Sequence, residues 1–432
     1  MLAAANGVVR AGIVITGTEV ITGTIADRNG PWISKALGEL GVEVAHILVV
    51  GDRPSDLEAA LRFMADDKVD LIVTSGGLGP TADDLTAEVV GRFAGREMVL
   101  DAAMEEKIAA ILRKFAARLK FDPEALRDAN RKQAVIPDGA LTIDPAGTAP
   151  GLVVPVEGGP VVIVMPGPPR ELQAMWPKAL DTGPAREVLG RAKPYSGAML
   201  RLFGLPESEI AKSLREVADS GLDLSPLEIT TCLRKGELEI EVRHRPGAEQ
   251  TLATLIDAID QRHGRFLFSR DGATIDSQLS DLLEGHTVAT AESCTAGMLA
   301  ARLTELEGAS RYVAGGVVAY SNGAKTDVLG VSPELIDEHG AVSPQVAEAM
   351  ADGAIARFEA DLGVGITGIA GPTGGTEAKP VGYVCICVKS ADRGMIARDP
   401  VIPGTRADIR ERSALLAMHL MRRLLLGEDF PI

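Results

Sequence analysis

Asp70-Leu71-Ile72-Val73-Thr74-Ser75-Gly76-Gly77-Leu78-Gly79-Pro80-Thr81-Ala82-Asp83-Asp84 is the stretch that decides the fold of the first part of the chain. Asp70–Thr74 is a short apolar run of the length of a buried strand. The glycines and proline that follow break it, and Thr81-Ala82-Asp83-Asp84 reads as an N-cap with an acidic first turn. Outward from this point the same alternation repeats. Gly12–Thr16 is an apolar run, Asn29–Leu40 is amphipathic with Pro31 near its first turn, Val42–Val50 reads as strand and Ser55–Ala65 as helix. Leu152–Val156 and Val161–Met165 flank Glu157-Gly158-Gly159, a hairpin signature, and Met104–Leu119 and Pro123–Ala134 are helical. The β-α-β-α-β order predicts a parallel sheet with helices on both faces.

After a stretch rich in Pro, Gly and charge at 177–196, residues 197–269 predict a small α+β module. Glu207–Val217 and Thr251–Gln261 are its helices, and Glu228–Leu233 and Leu238–Arg243 its hairpin. It carries no chemical motif and reads as a spacer or dimerisation element. A third α/β segment follows. Its strands are His286–Thr290, Tyr312–Tyr320, Leu362–Thr367, Gly382–Lys389 and Met395–Val401; its helices include Asp276–Leu283, Thr295–Leu306, one opening at Ser343-Pro344, and Arg406–Leu425.

The 432 residues suit two or three domains. Hydrophobic residues make up 46% and aromatics only 3%, so the cores are aliphatic. A net charge of −16 argues against direct nucleic-acid binding and leaves any anionic ligand to local donors. The four cysteines form no CxxC pair and the six histidines are scattered, so neither a zinc site nor a disulfide framework is indicated. No apolar run reaches membrane-spanning length and Met1–Arg10 lacks a signal-peptide pattern, so a cytoplasmic protein without membrane contact is the default.

The chemical candidates cluster late in the chain. Ala291-Glu292-Ser293-Cys294-Thr295-Ala296-Gly297 lies at a strand-to-helix junction, where free backbone N–H groups can stabilise an oxyanion. Tyr320-Ser321-Asn322-Gly323-Ala324-Lys325 supplies a lysine able to take a hydroxyl proton if burial keeps it neutral. This is the outline of a Ser–Lys amide hydrolase; the alternative is a capping serine and a surface lysine.

Several motifs together resemble the competence/damage-inducible protein A (CinA) family. They are Thr16-Gly17-Thr18-Glu19, the Ser75–Asp84 segment, Ala129-Asn130-Arg131-Lys132-Gln133, Gly147-Thr148-Ala149-Pro150-Gly151 and Met165-Pro166-Gly167-Pro168-Pro169-Arg170-Glu171, with the two late motifs and Thr367-Gly368-Ile369-Ala370-Gly371-Pro372. The resemblance implies three α/β parts: a molybdopterin-binding-like three-layer domain (1–176), a KH-like α+β linker (177–272) and a nicotinamide-nucleotide amidase domain (273–432). It implies hydrolysis of nicotinamide mononucleotide to nicotinic acid mononucleotide and ammonia, without a cofactor, in a homodimer. In some members the first domain is associated with metal-dependent hydrolysis of ADP-ribose.

On that basis Ser293 is the candidate nucleophile, Lys325 its base, Tyr320 a proton relay and Thr367 a partner for the carboxamide or for Ser293. Thr295, Gly368, Gly371, Arg406 and Arg410 are candidate substrate-binding residues, the arginines for phosphate. Cys294 is a rival nucleophile. In the first domain Glu19, Asn29, Ser75, Gly76, Gly77, Gly79, Arg131 and Lys132 are candidate nucleotide-site residues. Asp83 and Asp84 are candidate ligands for a Mg²⁺-like metal, or else simple helix caps. Asp144 and Ala296 stand where relatives often carry Asn and Gly. A non-catalytic pterin- or nucleotide-binding protein and a competence- or DNA-damage-associated interaction protein are the competing functions.

Overall fold

The computed structural model describes residues 8–116, 131–234 and 236–428. Its contacts divide the chain into two units, Met1–Tyr195 and Ser196–Ile432. Of the helix expected over Pro123–Ala134 only residues 131–134 are described, 131–133 of them helical, and the end of the one expected over Met104–Leu119 falls outside the described residues.

The first unit is a three-layer α/β structure. Its main strands are β1 (Arg10–Thr16), β2 (Glu43–Val50), β3 (Leu71–Ser75), β4 (Leu141–Ile143), β5 (Gly151–Pro155) and β6 (Val161–Met165), ordered β2-β1-β3-β6-β5-β4. β2, β1, β3 and β6 are parallel, whereas β5 and β4 are antiparallel. The sheet is therefore mixed rather than wholly parallel: the 157–159 hairpin reverses the chain beside β6. Helices α1 (Asn29–Glu39), α2 (Pro54–Asp66), α3 (Thr86–Phe93) and α4 (Pro169–Leu180) surround it. Ile13, Ile33, Val73 and Trp176 belong to the core on one face, and Val14, Leu61, Ile72 and Val164 to the core on the other. Burial on both faces is why these strands are continuous apolar runs. α3 starts at Thr86, not at Thr81, because residues 81–84 form a turn closed by their own side chains.

Two modules make up the second unit. In the first, β7 (Ser196–Phe203), α5 (Glu207–Asp219), β8 (Leu227–Arg234), β9 (Glu237–His244), α6 (Glu249–His263) and β10 (Leu267–Ser269) form an antiparallel sheet ordered β8-β9-β7-β10. The expected hairpin is β8–β9. In the second module α7 (Ile275–Leu282), β11 (Val288–Glu292), α8 (Met298–Leu303), β12 (Val313–Val318), α9 (Asn322–Leu329), α10 (Pro344–Phe358), β13 (Leu362–Gly368), β14 (Val384–Ser390), β15 (Gly394–Arg398) and α11 (Arg406–Leu426) build a sheet ordered β12-β11-β13-β14-β15. β12, β11 and β13 are parallel, and β14 and β15 antiparallel. α10 lies so close to β13 that a Cβ on Gly365 would sit 2.0 Å from the Ala347 carbonyl. α11 begins at a capping box of Thr405 and Asp408 and buries Leu415, Met418 and Leu420 on the sheet's other face.

Candidate active site

Ser293 sits just past the carboxyl end of β11, the strand flanked by both parallel neighbours. This is the edge where open α/β sheets place their ligand sites. Its N–H donates to Ile366 O at 2.9 Å, so the ladder to β13 fixes its backbone. The helix expected from Thr295 begins only at Met298, because Ala296 and Gly297 take left-handed backbone conformations with φ of 51° and 90°. Ala296 thus occupies a position that suits glycine better than alanine.

Lys325 lies on α9, which starts where the Ser321 hydroxyl accepts from the Ala324 N–H at 3.1 Å. The lysine is only 2% exposed, so the surface-lysine alternative fails. Its Nζ stands 3.1 Å from Ser293 Oγ, and donates to Ala319 O at 3.0 Å and Tyr320 O at 3.4 Å. Burial lowers its pKa from the ordinary lysine value. A neutral amine has two N–H groups and one lone pair. With both N–H groups on the carbonyls, the lone pair is left for the serine hydroxyl.

Two other sequence assignments meet different partners. The Tyr320 phenol is 59% exposed and accepts from Arg406 Nη2 at 3.0 Å; it reaches the lysine only through its backbone carbonyl. The Thr367 hydroxyl donates to Ala341 O at 2.7 Å and makes no hydrogen bond to Ser293. Arg406 also donates to Gly371 O at 2.8 Å, tying the Gly-rich loop to the start of α11. Arg410 donates to the carbonyls of Cys294 (2.9 Å) and Thr295 (3.0 Å). Thr295 is fully buried, and its hydroxyl has no hydrogen-bond partner among the described residues. Gly368 is required by packing, since a Cβ there would lie 3.0 Å from Cys294 Sγ. Cys294 is 4% exposed and burial pushes its thiol up to about 11, which makes it a poor rival nucleophile.

Glu292 has a larger structural role than the sequence suggested. It is fully buried, and its carboxylate accepts from the N–H groups of Gly297 (3.0 Å), Leu299 (3.1 Å) and Ala300 (2.9 Å). The available signal was an acidic residue just before a Gly-containing turn into a helix.

In the first unit, Glu19, Asn29 and Ser75 line a cavity of about 640 Å³ together with Gly167, Pro168 and Pro169. Asn29 Nδ2 donates to Ser75 Oγ (2.9 Å) and Gly167 O (2.7 Å), while its buried Oδ1 has no partner among the described residues. Gly76 and Gly77 turn the loop, with φ of 109° and 64°. Gly77, Gly79, Asp84 and Lys132 line a separate small cleft of about 30 Å³, and Asp83 lines a third. The structure therefore distributes these candidates over several clefts. Arg131 is exposed and lines none of these three. Lys132 Nζ donates to Thr81 O. The Thr81 hydroxyl donates to both Asp83 and Asp84, and the Thr81 N–H to Asp84 at 2.8 Å, so these carboxylates close the turn. Among the described residues no three His, Cys, Asp or Glu side chains gather to hold a metal ion. Asp144 pairs with Lys107 at the surface, 2.5 Å away.

Family models match both ends of the chain: a probable molybdopterin binding domain over residues 12–183 and a CinA C-terminal domain over 273–425. A CinA-like protein of Mycobacterium sp. (strain JLS) is 58% identical, over 96% of this chain and 99% of its own. The chain belongs to the CinA family. Another CinA-like protein, from Mycolicibacterium paratuberculosis, is 59% identical over 96% of this chain and 98% of its own. Among solved structures, the competence/damage inducible protein CihA of Agrobacterium tumefaciens is 39% identical, covers 35% of this chain and 94% of its own, and has a TM-score of 0.34. Among the described residues of this CinA family member no helix is long and apolar enough to cross a membrane.

Proposed function

We propose that the C-terminal module is a Ser–Lys amidohydrolase that converts nicotinamide mononucleotide and water to nicotinic acid mononucleotide and ammonia. The observation that carries this is the buried Lys325 Nζ standing 3.1 Å from Ser293 Oγ, with two backbone carbonyls on its other side. As Ser293 Oγ bonds to the carboxamide carbon, its proton passes to Lys325 and the carbonyl electrons move onto oxygen. Collapse of the tetrahedral species breaks the C–N bond, and the Lys325 ammonium protonates the departing amine to ammonia. Water then attacks the acyl-serine, giving its proton to Lys325. The carboxylic acid leaves as Ser293 recovers a proton.

Ammonia release from nicotinamide mononucleotide by the full chain, and its loss in Ser293→Ala, tests the reading. Equal release by Ser293→Ala refutes it, and no release by either chain favours the non-catalytic alternatives.

A nucleotide ligand such as ADP-ribose in the first unit is supported by the 640 Å³ cavity and the unpartnered Asn29 Oδ1 at its wall. Asp83 and Asp84 do not form a metal cage by themselves. AMP release from ADP-ribose by the full chain with Mg²⁺, reduced in Asn29→Ala, is the expected result; unchanged release in that variant removes the assignment.

A further inference from the structure

Residues 293–297 carry the nucleophile, and the backbone N–H groups of this loop can be accounted for one by one. Ser293 N–H donates to Ile366 O, Ala296 N–H to Ser293 O at 3.2 Å, and Gly297 N–H to the Glu292 carboxylate. The N–H groups of Cys294 and Thr295 meet no oxygen of the described residues; both lie near the Cys294 sulfur and lower the pKa of its thiol against the larger effect of burial. They are the two that follow the nucleophile.

Their directions are fixed by the carbonyls that share their peptide planes. In a trans peptide the C=O of one residue and the N–H of the next point opposite ways. The Ser293 carbonyl is held by Ala296 N–H, which orients the Cys294 N–H. The Cys294 carbonyl is held by Arg410 Nε, so the Thr295 N–H points away from Arg410. Arg410 Nη2 holds the next carbonyl, that of Thr295. From the inner side Glu292 grips the loop's end and the first turn of α8 through three N–H groups. The loop, with its left-handed Ala296 and Gly297, is thus held between the buried Glu292 carboxyl group, which accepts from Gly297 and from the first turn of α8, and the Arg410 guanidinium, which donates to two of its carbonyls.

We propose that Glu292 and Arg410 are positioning residues of the amide hydrolysis, holding the Cys294 and Thr295 N–H groups in place as the oxyanion donors. The proposal rests on the Ser–Lys reading. It assigns Arg410 to the loop rather than to the substrate phosphate. The two roles separate in kinetics, because an oxyanion donor acts on the transition state and a phosphate holder on binding.

The experiment compares the wild-type full chain with Arg410→Lys, whose ammonium cannot reproduce the two-pronged fork. Three readouts are taken: kcat and KM for nicotinamide mononucleotide, the same for nicotinamide riboside, which lacks the phosphate, and the rate at which a fluorophosphonate modifies Ser293, followed by mass spectrometry. The clamp predicts a kcat loss of about 100-fold on both substrates with KM changed less than about threefold, and slower modification of Ser293 by a similar factor. Glu292→Gln, which turns an amide N–H₂ toward the loop's own N–H groups, shows the same split where it folds; Arg410→Lys decides the matter alone where it does not. A rise in KM for the mononucleotide alone, or modification of Ser293 at the wild-type rate, overturns the proposal. Should the wild type release no ammonia from the mononucleotide, the substrate reading fails, while the Ser293 modification rates still decide the clamp. A wild-type Ser293 inert to the fluorophosphonate overturns both.

Discussion

Lys325→Met is the sharpest perturbation of the site, because it keeps the buried stem and removes only the amine. Nζ satisfies Ala319 O at 3.0 Å and, at a longer 3.4 Å, Tyr320 O. Stranding one well-made buried acceptor costs about 1–3 kcal/mol. Relief from burying an amine offsets part of that, so a net loss of about 1–2 kcal/mol is expected. For a unit the size of 196–432 this lowers Tm by roughly 2–8 °C, leaving a folded protein. Ammonia release, by contrast, falls by about 10²–10⁴-fold, the usual contribution of a positioned general base. The pH dependence carries the same signature. On the proposed mechanism neutral Lys325 is the active form, so wild-type kcat/KM should rise with pH through an inflection below 10.5, and the residual rate of the variant should lack that inflection. Stability follows the same sign. With the folded pKa lowered, the unfolded chain binds the extra proton between the two values, so stability falls as pH drops through that window and the variant flattens the fall. A coupled ammonia assay across pH, beside thermal melts, measures all of this. Retention of more than a tenth of the wild-type rate, or an unchanged alkaline inflection, refutes the assignment of Lys325 as base.

Burial pushes Cys294, Cys385 and Cys387 up to about 11, 11 and 12, while Cys232 is exposed. Iodoacetamide at pH 8 should therefore modify Cys232 alone, as peptide mapping would show, and Cys294→Ala should retain at least a tenth of the ammonia release. His419 on α11 is stacked 3.8 Å from the Phe203 ring and sits 2.8 Å from Glu237, joining the two modules of the second unit. Desolvation lowers its pKa from 6.5 despite the carboxylate, so the unfolded chain takes up its proton first and the unit loses stability as pH falls below 6.5. His419→Gln should flatten that acid limb in denaturant melts; an unchanged limb assigns it to other groups.

Some starts were legible because each leaves a local mark: an apolar run at Asp70–Thr74, which the structure places as a strand over Leu71–Ser75, and a Ser343-Pro344 start to α10. Of the candidate site, the sequence reading paired Ser293 with Lys325, and the structure places these two side chains 3.1 Å apart. Tyr320 and Thr367 were assigned by what their hydroxyls can do, and a sequence does not say which neighbour takes a hydroxyl. Here the neighbours are Arg406 and Ala341. Asp83 and Asp84 failed as an acidic first turn for a related reason: Thr81, three residues before Asp84, bonds to both and closes a turn instead of opening a helix.

Lys325 exposes the deeper limit. Asn322-Gly323-Ala324-Lys325 has no apolar periodicity, so nothing local announces a buried side chain. Burial comes from β11 and β12 ending side by side, where the Glu292 carbonyl accepts from the Ala319 N–H at 2.8 Å and turns the Ala319 and Tyr320 carbonyls toward the same space as Ser293. Those carbonyls also explain why an amine suits this place. An imidazole presents one N–H when neutral and would leave one of the two acceptors bare. A guanidinium keeps its charge and has no lone pair to receive the serine proton. A primary amine alone among the common bases fills two acceptors and still faces the hydroxyl with a lone pair, so the strand ends select the lysine as much as the lysine selects its chemistry.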